Sequence, residues 1–118
     1  MAETAPTRGT NFLGLTPAES DYNAARVVIV PVAYDATTSY KSGTKYGPAA
    51  IIAASREVET YDPATRQDIG SIGIATVEEI EAEADGPKAM IDTVERAIAS
   101  HLSKGKFCVM LGGEHSIT

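Results

Sequence analysis

Two uninterrupted apolar runs, Val27-Val28-Ile29-Val30 and Phe107-Cys108-Val109-Met110-Leu111, constrain this 118-residue chain more than anything else in it. Neither alternates polar with apolar residues, so neither suits a strand with one wet face. Both suit strands buried on two sides, as in a parallel sheet covered by helices. Parallel strands need long crossovers, and the sequence between the runs is punctuated for them. Gly47-Pro48 puts proline at a first helical position, where its missing N–H is not needed. The helix it opens, Ala49 to Ser55, is small and apolar nearly all round, so it is expected to be tightly buried, with an interface as one possible setting. Gly86-Pro87 opens a second helix to about Ser103, with Ile91, Val94, Ile98 and Leu102 as its apolar stripe. Asp92 and Arg96 form an i,i+4 pair on another face, and Lys104-Gly105 stops the helix.

Between the helices the signals are shorter. Asp62-Pro63 marks a turn. Asp68-Ile69-Gly70-Ser71-Ile72-Gly73-Ile74 reads as a short second strand whose glycines admit close packing. Thr76 and Glu79 have capping-box spacing, which predicts a short acidic helical turn to about Ala84. Pro31 is expected to end the first strand. The order strand, helix, strand, helix, strand predicts an α/β fold with a parallel sheet and right-handed crossovers. Residues 1–25, with Pro6, Gly9, Gly14 and Pro17, read as a loosely ordered arm before one domain at 26–118. Phe12, Leu13 and Leu15 would pack on the main body or on a neighbouring subunit.

A formal net charge of −6 argues against nucleic acid or an anionic membrane as the main partner. No apolar run approaches the ~20 residues of a membrane span, and the first residues lack a hydrophobic signal core, so a cytoplasmic location is expected. The single cysteine, Cys108, cannot form an internal disulfide and reads as a small buried hydrophobe. His101, in the last turn of the second helix, reads as structural, since the helix dipole favours a cation there.

Two stretches could carry chemistry. The run at 107–111 leads straight into Gly112-Gly113-Glu114-His115-Ser116. In an open parallel sheet, ligands gather outside the carboxyl ends of the strands, which is where this cluster would sit. A neutral imidazole there is a common metal ligand, with a hydrogen-bonded structural histidine as the alternative. The second stretch, Thr37 to Tyr46, is long for a strand-to-helix loop and rich in hydroxyls, with lysines at Lys41 and Lys45. It suits an anion or a subunit contact, but Gly43-Thr44-Lys45-Tyr46-Gly47 lacks the spacing of a phosphate-binding P-loop.

These pieces occur together in a known order. Ser39-Tyr40-Lys41-Ser42-Gly43-Thr44-Lys45-Tyr46-Gly47-Pro48-Ala49-Ala50-Ile51 resembles the Ser-Tyr-Arg-x-Gly-x-(Arg/Lys)-(Phe/Tyr)-Gly-Pro-x-x-Ile stretch of the ureohydrolase family, the arginases and agmatinases. Val30-Pro31 to Asp35 resembles that family's first strand and following turn, and Asp68-Ile69-Gly70 its short second strand. Leu111-Gly112-Gly113-Glu114-His115-Ser116 resembles its Leu-Gly-Gly-Asp-His-Ser motif. The resemblance covers about residues 26–118 and is closest to the agmatinase branch. Lys41 stands where arginine is common, Ile52 where arginine often follows the motif, and Glu114 where aspartate is usual.

The resemblance implies a three-layer α/β/α domain around a mostly parallel sheet, incomplete in this chain. It implies two manganese ions per complete site, activating a hydroxide that attacks a guanidinium carbon and releases urea. By the same resemblance His115 is a metal ligand and Glu114 supports it from behind. The family's remaining ligands lie in Asp-x-His-x-Asp and Asp-x-Asp motifs, neither of which occurs in this sequence. The expectation is therefore the N-terminal part of an agmatinase-like enzyme of polyamine metabolism, acting on a small guanidino compound, agmatine first, and inactive alone. A homo-oligomer or a completing chain is expected as partner. The alternative is a short non-catalytic paralogue that pairs with another chain through an exposed sheet edge.

Overall fold

The first apolar run forms the central strand of the protein. The structure is a computed structural model that describes residues 11–34, 46–81 and 86–112. In chain order its elements are β1 (Val27–Ala33), α1 (Gly47–Ser55), β2 (Tyr61–Asp62), β3 (Gln67–Asp68), β4 (Ile74–Thr76), β5 (Ile80–Glu81), α2 (Pro87–Ser103) and β6 (Phe107–Gly112). β4 and β5 pair in succession along one edge of β1, and β6 pairs along the other, all in parallel. β2 and β3 form a separate antiparallel hairpin, whose turn is fixed by Asp62 accepting from the Ala64 N–H and the Thr65 hydroxyl.

The edges of β1 are assigned by its backbone bonds. The Phe107 N–H donates to the Arg26 carbonyl, and the Val77 N–H to the Ile29 carbonyl. Successive strand residues send their backbone groups to opposite edges. Even-numbered residues of β1 therefore face β6, and odd-numbered ones face β4 and β5. Pro31 falls on the odd edge, after the last β4 pair (Ile29 with Thr76) and before the first β5 pair (Val32 with Ile80). Its missing N–H faces a gap in that ladder, while the β6 ladder runs past it. The strand consequently does not end at Pro31, as the sequence suggested, but continues to Ala33.

The two faces of β1 pack into separate clusters, the larger on the α2 side. Val28, Val30, Val32 and Tyr34 pack with Met90 and Val94 of α2, all of them buried. Ile29 packs on the other face with Leu15 and Ile74, and Phe12, Leu13 and Val109 close around them. α1 lies beside this second face, where Ser55 Oγ accepts from the Leu13 N–H at 2.8 Å. One helix on each side of a parallel sheet is the expected α/β arrangement. Residues 22–25 are pinned to the amino end of the sheet. Lys106 Nζ donates to the Tyr22 and Ala25 carbonyls at 2.7 and 2.8 Å, and the Tyr22 hydroxyl lies 2.6 Å from His101 Nδ1. His101 is thus a buried structural histidine, as expected.

Four local expectations are corrected. Ile69–Ile72 is one turn of 3-10 helix, because the Asp68 carboxylate accepts from the Gly70 N–H at 2.9 Å and competes with strand pairing; the strand begins only at Ile74. Thr76 is no helix cap: its hydroxyl accepts from the Phe12 N–H at 2.9 Å, and Ile80–Glu81 pairs with β1 instead. The core stripe of α2 is Met90, Val94 and His101 with part of Ile98, leaving Ile91 and Leu102 exposed; Asp92 pairs with Lys88, not Arg96. In α1 only Pro48, Ile52 and Ser55 are buried, and Ile51 is 46% exposed, because just one side of the helix meets the sheet.

The glycines of the 68–74 stretch do admit close packing. Gly73 has φ +83°, and a Cβ there would lie 3.0 Å from the Ala25 Cα. Gly73→Ala should therefore cost about 1–3 kcal/mol through backbone strain plus this collision. Chemical denaturation of the two proteins checks it; an unchanged midpoint would mean that residues 24–25 are not held against Gly73.

Candidate functional site

The carboxyl ends of β1 and β6 lie side by side, with Val32 opposite Gly112. The amino end of α1 meets them there, since a Cβ built on Gly47 would sit 3.7 Å from the Gly112 carbonyl oxygen. Local chemistry explains this placement. Pro48 at the start of α1 is buried and fixes the helix entry. Glycine at 47 and at 112 keeps the two backbones free of side chains where they approach. Gly47-Pro48 and Gly112, distant in sequence, thus converge at the edge where a parallel sheet binds its ligands.

The same edge carries acidic residues of the segment joining β4 to β5. Glu81 pairs with Ala33 at the end of β1. Partial burial and the neighbouring Glu81 carboxylate push the Glu79 carboxyl above its ordinary value. Both effects disfavour the ionised form. Tyr34, which follows β1 and begins the hydroxyl-rich loop in sequence, is fully buried in the α2-side core and not on the rim. Tyr46, at the other end of that loop, is 65% exposed.

The sequence-derived candidates are distributed as follows. His115 and Glu114 lie outside the described residues, as do Thr37 to Lys45. Cys108 is half-buried in β6, and burial pushes its thiol pKa up, which keeps it a protonated hydrophobe and not a nucleophile. Among the described residues, no group of three or more His, Cys, Asp or Glu side chains is placed to hold a metal ion. The described residues therefore do not supply the donor set of a dinuclear manganese centre. What sequence reasoning missed is the Gly47–Gly112 approach; the two glycines were visible, but nothing local in either motif points to the other.

A cavity of about 310 Å³ opens at the opposite, amino ends of β1 and β6, lined by Arg26, Val27, Ile72, Gly105 and Phe107. It offers one guanidinium and no acid–base pair. Its chemistry and its position set it apart from the carboxyl edge.

Comparison with known proteins agrees with this geometry. The sequence profile of the arginase family matches residues 25–118. The chain is 38% identical over 108 residues to an N(1)-aminopropylagmatine ureohydrolase of Synechocystis, covering 84% of this chain and 34% of that protein. It is 29% identical over 110 residues to an agmatinase of Bacillus subtilis, covering 93% of this chain and 37% of that protein. The solved structure of the agmatine ureohydrolase of Thermoplasma volcanium superposes with a TM-score of 0.75 at 30% identity, covering 99% of this chain and 36% of that one. The chain thus spans about a third of the length of the relatives it matches.

The raised Glu79 pKa fixes the sign of a pH effect. A carboxyl whose folded pKa lies above its unfolded value stabilises the fold below the unfolded value and loses that contribution as pH rises through the folded one. Glu79→Gln should therefore melt higher than the parent at neutral pH, with the difference vanishing near pH 3, about a unit below the usual glutamate value. Paired melting curves across that range test it, and an equal or lower melting temperature for the variant at pH 7 would contradict it.

Proposed function

This chain belongs to the arginase family, and on that footing we propose that it forms the N-terminal part of an agmatinase-like, manganese-dependent ureohydrolase. The reaction would add water to a guanidinium carbon, break the bond from that carbon to the substituted nitrogen, and release urea and an amine. The observation that carries the reading is the convergence of Gly47-Pro48 with Gly112 at the carboxyl edge of the parallel sheet. His115 follows Gly112 by three residues in sequence.

The arginase family is manganese-dependent, and bound manganese lowers the pKa of a coordinated water so that hydroxide is available near neutral pH. Imidazole and carboxylate donors suit that ion. In this proposal His115 is one ligand, and Glu114 orients its imidazole through a hydrogen bond. Gly47 and Gly112 leave the approach bare of side chains. One histidine cannot hold a dinuclear centre, so the chain is inactive alone and acts with the sequence that supplies the other ligands. Agmatine is the first substrate to test, because relatives bearing agmatinase and aminopropylagmatine ureohydrolase names match the chain.

A second reading, a non-catalytic interaction module, is favoured by the half-exposed apolar strand β6. A chimera separates the two. When this chain replaces the matching third of the Synechocystis relative, the product should release urea from agmatine or aminopropylagmatine with manganese, while the 118-residue chain alone should release none. In the chimera, His115→Ala should abolish the activity and Glu114→Gln should reduce it about 10–100-fold. An inactive but folded chimera would favour the interaction module, and urea from the isolated chain would overturn the proposed dependence on further ligands.

A further inference from the structure

Phe12–Gly14 form a single 3-10 turn that bridges α1 and β4. The Phe12 N–H donates to the Thr76 hydroxyl oxygen at 2.9 Å, and the next N–H, that of Leu13, donates to Ser55 Oγ at 2.8 Å. The two acceptors stand on different elements. Thr76 ends β4 and pairs with Ile29 of β1. Ser55 ends α1, and its own O–H donates to the Ile52 carbonyl at 2.6 Å, which leaves its lone pairs to Leu13. Both residues are buried, at 3% exposure for Thr76 and 6% for Ser55. A buried hydroxyl is costly unless bonded, so neither is a passive filler of space. Leu13 itself has φ +65°, a left-handed conformation that a non-glycine residue keeps only where its surroundings hold it. The Arg56 stem closes over the turn from the α1 side, since a Cβ built on Gly14 would lie 3.3 Å from Arg56 Cγ.

We propose that Ser55 and Thr76 are positioning residues for the candidate site: through the 12–14 turn they fix the far end of α1 against β4, and α1 carries that constraint to Gly47. This rests on the hydrolase reading above. α1 has nine residues and buries only Pro48, Ile52 and Ser55. Gly47, at its other end, makes the close approach to Gly112, which precedes His115 by three residues in sequence. At 1.5 Å of rise per residue, Gly47 lies roughly 7.5 Å from Ile52 along the axis and Ser55 about 4.5 Å. A tilt about Ile52 that frees Ser55 therefore moves Gly47 further than it moves Ser55. Misplacement of about 1 Å beside a reacting centre is enough to slow chemistry on the order of a hundredfold. The bonds carry this role and not the side-chain volumes: valine would fill the Thr76 site yet leave the Phe12 N–H without its acceptor.

The test combines amide hydrogen exchange on the full 118-residue chain with kinetics of the Synechocystis chimera. The chimera is assayed with manganese and agmatine or aminopropylagmatine, below the melting temperature of every variant. Thr76→Val and Ser55→Ala should each raise exchange at both the Phe12 and Leu13 amides at least about tenfold, because one turn holds both, and should speed the amides of Ile51 to Ser55 in α1. In the chimera each should lower kcat about tenfold with KM changed less than about twofold, because misalignment acts on the chemical step. Thr76→Ser keeps the acceptor and loses a methyl, so it should hold kcat near the parent value. A packing role would reverse the order of the two Thr76 variants, and that reversal overturns the proposal. A turn that opens while kcat stays at the parent value overturns it as well. Thr76→Val is the decisive variant for the link to α1, because it alters β4 and not the helix. An inactive parent chimera removes the hydrolase reading alone: exchange still decides whether the turn holds α1, and α1 amides that keep their protection in Thr76→Val overturn that link.

Discussion

The structure depends on β1 being saturated in four directions at once. Its even backbone groups are bonded to β6, and its odd ones to β4 and β5. Its even side chains fill the α2-side core, and Ile29 fills the other. Fully burying a valine or isoleucine contributes about 1.5–3 kcal/mol relative to leaving it exposed. A strand with several such residues in a row is therefore stable only where both faces are covered. The helices, β4, β5, β6 and residues 11–25 are each placed by what they cover around this one segment, while the β2–β3 hairpin stands apart.

That saturation gives the sheet a polarity with functional meaning. All its strands point the same way, so one end gathers carbonyl ends and helix starts while the other gathers helix ends and the basic Lys104–Lys106 stretch. At the carboxyl end two glycine-bearing motifs meet with little between them. At the amino end Tyr22, His101 and the two lysines meet, with Lys106 Nζ 4.6 Å above the Tyr22 ring. The amino end is thus tied together by structural bonds, and the carboxyl end is the one at which Gly47 and Gly112 approach.

How much of this was legible in the sequence follows from which signals are local. β1 was readable because burial on both faces suppresses alternation within a few residues, and β6 because its run is uniformly apolar, although it is only partly buried. The start of α2 at Gly86-Pro87 and its end before Lys104-Gly105 were readable because caps are local. The edge that Pro31 faces was not, because it depends on where two other strands stop and start. The Thr76–Glu79 spacing misled because the Thr76 hydroxyl is engaged by Phe12, a partner far away in sequence. The α2 stripe was displaced because Met90 and His101 look less apolar than Ile91 and Leu102, yet Met90 points at β1 and His101 is satisfied by Tyr22. Around the candidate site, the two motifs were visible in the sequence, but only tertiary structure brought Gly47 to Gly112.

The pairing of β1 with β6 also has a consequence in time. Val27 finds its register partner in Phe107, and the lysine that holds Tyr22 is Lys106. During synthesis β1 emerges first, and one entire edge of it waits for roughly 80 further residues. At about 5–20 residues per second that is several seconds to more than ten with an apolar, β-branched strand incompletely covered. Closing so long a loop is also the slow kind of folding step, since the chain entropy is lost before the contacts form. The segment most deeply buried at the end is therefore the one longest exposed on the way, and the cell's chaperones would meet this protein chiefly through Val27–Val30.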